Sequence, residues 1–213
     1  GNPSSSHGAG RAARAALDRA REQVAAAVRA SPRDVIFTSG GTEADNLAIL
    51  GLAEAAARGG SWDGLHLLSS PTEHKAVLAA LAEAKRRGAQ VTYLPVDADG
   101  VVDLDALDQA LAGRLRGGKP ALVSVMWVNN EVGTVQPVAA IAERCRAARV
   151  PFHTDAVQAL GKVPVDLGAA PCDVVSISAH KIGGPKGSGA LVVRNGRDVR
   201  PLIHGGSQQR GIR

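Results

Sequence analysis

Short apolar runs alternate with helical stretches along nearly the whole chain, and this cadence limits the possible folds more than any other feature. Runs "VIFTS", "LHLLSS", "QVTYLPV", "ALVSVMWV", "VPFHTD", "DVVSIS" and "GALVVR" are rich in Val, Ile and Leu, as strands buried on both faces must be. Between them, helical periodicity predicts helices over 10–30, 43–58, 75–87, 104–111 and 138–149. In the first, Leu17, Val24, Ala27 and Val28 lie opposite Arg14 and Arg21. Strand, helix, strand in this order predicts a three-layer α/β sandwich with a mostly parallel central sheet.

In such folds ligands collect at the carboxyl ends of the strands. Polar residues cluster at just those places: "TSGGTE" after "VIF", "SSPTEH" after "LHLL", "NNEVG" after "VSVMWV", "TDAVQ" after "VPFH" and "SAHK" after "VVSI". Five polar tails converging on one crevice imply an active site.

Other classes fit poorly. The 213 residues carry a net charge of +5, but the basic side chains are scattered and aromatics make up 2%, so stacking platforms for nucleic acid are lacking. No apolar run is long enough to span a membrane, and "GNPSSSHGAG" has no signal-peptide pattern, so no membrane partner and a cytoplasmic location are expected. Cys145 shares an apolar helical face with Val138, Ile141 and Ala142, and Cys172 sits in a turn after Pro171. Neither has zinc spacing, so no metal site is expected.

The tails carry several functional candidates. In "TSGGTEADN", Gly41 backbone N–H and the Thr42 hydroxyl can hold a phosphate at a helix start, or Thr42 can simply cap that helix. His74 stands at a strand-to-helix turn, as a functional group or a cap. Asn130 can orient a ligand or merely shape a loop. Asp155 ends an apolar strand, where a carboxylate needs a cation or donor unless it caps "AVQAL", and Gln158 follows within reach. Lys181 follows a strand expected to be buried, and desolvation there would favour the neutral, nucleophilic amine. Lys186, Lys162 and Lys75 read as surface residues. Pyridoxal 5'-phosphate (PLP) would use such a set together: a lysine, an acid for the ring nitrogen, a flat group over the ring, a donor to the phenolic oxygen and an anion cradle.

The motifs "SGGTEADN", "TEHKAV", "VNNEVGTVQP", "HTDAVQALGK", "SAHKIGGPKGSGAL" and "HGGSQQRGIR" together resemble the cysteine desulfurases, of the class V aminotransferase group of fold-type I PLP enzymes. The resemblance extends over essentially the whole chain and is nearest the branch that supplies sulfur for iron-sulfur clusters and tRNA thiolation. It implies that Lys181 is the Schiff-base lysine, Asp155 the pyridinium partner and Gln158 the donor to the phenolic oxygen. His74 would stack on the ring and move protons. Gly41, Thr42, Ser178 and His180 would hold the phosphate, and Asn130 would orient the ring and substrate carboxylate.

The implied reaction takes sulfur from L-cysteine, leaving L-alanine and an enzyme persulfide, in a homodimer that passes sulfur to an acceptor or scaffold protein. Residues 1–213 are expected to form a PLP-binding large domain, a partial one that lacks the family's opening segment and its small domain. Neither Cys145 nor Cys172 matches the family's nucleophile. A selenocysteine lyase, another class V aminotransferase, or a non-catalytic scaffold for a phosphate ligand or sulfur acceptor are the alternatives.

Overall fold

The computed structural model describes residues 1–206 and 208–213; Ser207, within "HGGSQQRGIR", lies outside them. In chain order the elements are α1 (Gly8–Val28), β1 (Val35–Thr38), α2 (Gly41–Ala57), β2 (His66–Ser69), α3 (Lys75–Arg86) and β3 (Gln90–Tyr93). They continue as α4 (Leu104–Leu111), β4 (Leu122–Ser124), α5 (Val138–Ala148), β5 (Phe152–Asp155), β6 (Val174–Ser178) and β7 (Gly189–Val193). The strands form one seven-stranded sheet in the order β1-β7-β6-β5-β4-β2-β3. β7 is antiparallel to both neighbours and the remaining pairings are parallel, as the cadence predicted.

The period of two along a strand divides the core between the two faces of the sheet. Ile36, Leu67, Leu122, Val174 and Leu191 pack with α2 and α3 on one face. Their chain neighbours Val35, Leu68, Val123, Val175 and Val192 pack with residues of α1, α4 and α5 on the other. Helix α2 touches β1, β4, β5, β6 and β7, so it crosses the middle of its face and brings its amino end to the strand ends. At Gly51 in α2, a Cβ would lie 2.7 Å from Arg200 O, so only glycine lets that later segment pack so closely.

The run "ALVSVMWV" contributes a shorter strand than expected. Beyond Ser124, Val125 N–H donates to His153 O (3.1 Å) and Trp127 N–H to Asp155 O (2.9 Å), but Gln136 N–H turns to Trp127 O, and the chain leaves the ladder for the Asn129 turn. The outer edge of β1 is covered by the carboxyl-terminal motif: Gln209 Oε1 accepts from Phe37 N–H (3.0 Å) and Arg210 Nη2 donates to Val35 O (2.9 Å). This protects an edge that could otherwise pair with another chain. Among the described residues no helix is long and apolar enough to cross a membrane.

Candidate active site

The carboxyl ends of β1, β2, β4, β5 and β6 open into one cavity of about 450 Å³. Its lining includes Gly41, Thr42, His74, Asn130, Asp155, Gln158, His180 and Lys181. Ser178 is the one expected site residue that does not line it. It is buried beneath, where its Oγ is 2.8 Å from His180 Nδ1.

The β1–α2 turn builds an anion-ready corner. The Thr38 hydroxyl donates to Gly40 O, and Gly40 adopts a φ of +153°, a conformation side chains disfavour. Gly40 is the N-cap of α2 and supplies no side-chain cap, so the first N–H groups of this 17-residue helix are not occupied by one. A Cβ on Gly41 would lie 2.8 Å from Val157 Cγ2, so the backbone there approaches the Asp155 loop as only glycine allows. Thr42 is not the helix cap; it is exposed beside the cavity.

His74 is both a cap and a cavity residue. It precedes α3 as its N-cap, and Nδ1 accepts from Ala76 N–H at 3.1 Å, which leaves Nε2 as the protonated nitrogen of the neutral ring. Asn130 is exposed at the cavity, whereas the buried Asn129 holds the turn: its Nδ2 donates to Thr72 O and its Oδ1 accepts from Glu131 and Val132 N–H. Asp155 Oδ1 accepts from Val157 N–H at 2.9 Å rather than capping a helix. Gln158 Oε1 accepts from Lys162 Nζ, so a lysine that reads as mobile surface instead orients Gln158 and leaves its amide hydrogens available.

Lys181 departs from expectation. It lies in the turn after β6 and is exposed at the cavity rather than desolvated, and Lys186 and Gly187 of the glycine-rich segment line the same cavity.

On the cavity floor Asp155 has buried acidic neighbours, Asp45 and Glu73, that the sequence reading left unassigned. Asp45 and Asp155 are 1% and 4% exposed, and with His74 they offer polar atoms within 4.8 Å of one another. Desolvation, and then the charge of Asp155, hold the Asp45 carboxyl well above the usual range. Asp155 is also raised by desolvation, but the hydrogen bond from Val157 N–H pulls it back down. Burial raises Glu73 to about 8 although its Oε1 accepts from Met126 N–H and Ser70 Oγ–H. His153 is driven by burial to about 3, a neutral ring between the Ser124 and Ser176 hydroxyls. A usable signal existed for Asp45: it falls on the stripe of Ala48, Ile49 and Leu52, the buried face of α2. Glu73, in a loop, had none.

Residues 1–212 match the family model described as aminotransferase class-V. The chain belongs to that family. Among its curated relatives, cysteine desulfurase IscS of Neisseria meningitidis serogroup C (strain 053442) is 49% identical over 216 residues, all of this chain and 51% of that protein. Two solved members of similar shape are "SspA in complex with cysteine" (39% identical, TM-score 0.90, all of this chain and 59% of that one) and a NifS-like protein (41%, 0.90, all and 56%). The chain therefore spans about half the length of the curated relatives it matches. Seven strands with one antiparallel member are this family's sheet in the present chain.

Proposed function

We propose that this chain is the PLP-binding large domain of a cytoplasmic cysteine desulfurase, which removes sulfur from L-cysteine and leaves L-alanine. The observation that carries the reading is the convergence of an amine, a buried carboxyl, an imidazole and an open helix amino terminus on one cavity. Relatives named cysteine desulfurase, and a similar structure described in complex with cysteine, support the choice of substrate.

The residues present fit PLP. The uncapped start of α2 suits a phosphate, and the buried Asp155 has no Lys or Arg partner among the described residues, so a cationic ring nitrogen would meet an unmatched need. Thr42, Gly41 backbone N–H and His180 would hold the phosphate, with Ser178 acting from beneath through its hydrogen bond to His180. Asp155 would face the ring nitrogen, and Gln158, held through Oε1 by Lys162, would donate to the phenolic oxygen. Lys181 would bind the aldehyde. When bound, PLP supplies an electron sink for the charge left by loss of the substrate α proton.

The chain's own residues do the rest. Lys181, exposed at the cavity, would be reached by an incoming substrate amine and could carry a proton. His74 lines the cavity with Nδ1 tied to α3, so its proton traffic would run through Nε2. Asn130 stands where it can orient the substrate carboxylate. Cys145 and Cys172 are fully buried free thiols, and burial raises both, Cys145 to about 12, so the thiolate that takes the substrate sulfur is neither of them. In the reading favoured here the whole protein is a homodimer that hands sulfur to an acceptor protein.

Titration of the purified chain with PLP tests this. A folded chain that takes up PLP with a visible absorption band, and whose band shifts on adding L-cysteine, agrees with the proposal. A folded chain that develops no band contradicts it.

A further inference from the structure

Two carboxyl groups face each other under the cavity, and their surroundings differ. Asp155 receives a backbone hydrogen bond from Val157, which favours a charge there. Asp45 has the Ser176 hydroxyl, the neutral His153 ring with Nε2 3.7 Å from Oδ1, and the nearby buried Glu73. Its Oδ1 is fully buried and, among the described residues, has no hydrogen-bond partner, although His153 Nε2 lies beside it. The remaining charged groups on the cavity, Glu43, Lys181 and Lys186, belong to its mouth. Two buried carboxyls within 4.8 Å of each other disfavour a second charge, and Asp155, with its backbone N–H donor, is the better placed to hold the one charge.

We propose that Asp45 is a positioning residue that keeps a proton beside Asp155, so that the cavity floor carries a single negative charge, placed on Asp155. Its use in the reaction rests on the reading of Asp155 as the partner of the PLP ring nitrogen: one carboxylate holds that nitrogen protonated, whereas two would add a charge that nothing in the floor balances. The pattern is the familiar separation of paired acids by unequal environments, here serving a group that never touches the substrate.

The test is the pH dependence of folding stability in the full chain without added PLP, between about pH 5 and 7. A proton kept by native Asp45 and released on unfolding makes the folding constant fall tenfold per pH unit, over and above the other groups. Asp45→Asn should remove that slope, while Asp155→Asn should keep it. Equal slopes in wild type and Asp45→Asn, or loss of the slope in Asp155→Asn, would overturn the assignment. Should Asp45→Asn fail to fold, the Asp155→Asn arm still decides. Infrared spectra in a Glu73→Gln background add a second readout: a protonated-carboxyl stretch at neutral pH that persists in Asp155→Asn supports the proposal, and its absence there refutes it. Because these arms use no PLP, failure of the wild type to take up PLP would count against the cofactor reading alone.

Discussion

His74 Nδ1 accepts the Ala76 backbone N–H at 3.1 Å, so one imidazole both closes the amino end of α3 and lines the cavity. Structure and chemistry are therefore joined in a single ring, and substitutions can separate them.

His74→Ala should lose the cap and destabilise the fold by about 1 kcal/mol, whereas His74→Asn, whose side chain also caps, should retain most of that stability. Both should slow the cysteine-dependent spectral change by roughly 10²–10⁴-fold if Nε2 moves the proton. Thermal denaturation beside stopped-flow absorbance reads the two effects. Equal stability of the two variants would show that the cap does not matter.

Gly41→Ala should weaken PLP binding, because its Cβ would press 2.8 Å from Val157 Cγ2 and push the start of α2 out of place. Overpacking of this kind costs about 1–3 kcal/mol. The double variant Gly41→Ala/Val157→Ala should recover much of the affinity measured by titration. No recovery would place the defect elsewhere.

How far the sequence could be read follows from how locally each feature is determined. The strands were legible because burial on both faces writes continuous apolar runs, and β7 was legible as a strand though not as antiparallel, since direction is set by the turn before it. The end of β4 was not, because Val125 to Val128 stay buried beyond the strand's last residue, Ser124, and look no different from strand. Asp155 stood out as an acid closing an apolar run. Glu73 did not, since only distant neighbours bury it, and an acid such as Asp45 at a helix start reads first as a favourable partner of the helix dipole. The exposure of Lys181 was equally invisible, because what covers a strand end depends on the path of the following loop.

Glu73 gives a separate pH prediction. Its native carboxyl is raised to about 8 by burial, so the native state holds a proton that the unfolded chain releases above the ordinary value of 4.5. That contribution is complete below 4.5 and is lost as pH rises through about 8. Glu73→Gln can still accept from Met126 N–H and Ser70 Oγ–H. It should flatten the stability profile in this window by about 1.4 kcal/mol per pH unit. Denaturant midpoints across that range check it, and an unchanged slope would mean that native Glu73 is ionised.

The central claim is that Lys181 is the amine that holds PLP, and reductive trapping tests it most directly. The chain is incubated with PLP, reduced with borohydride, digested and mapped by mass spectrometry. The account predicts a phosphopyridoxyl group on Lys181 and its loss in Lys181→Ala, whereas a dominant label on Lys75, Lys162 or Lys186, unaffected by that substitution, would contradict it.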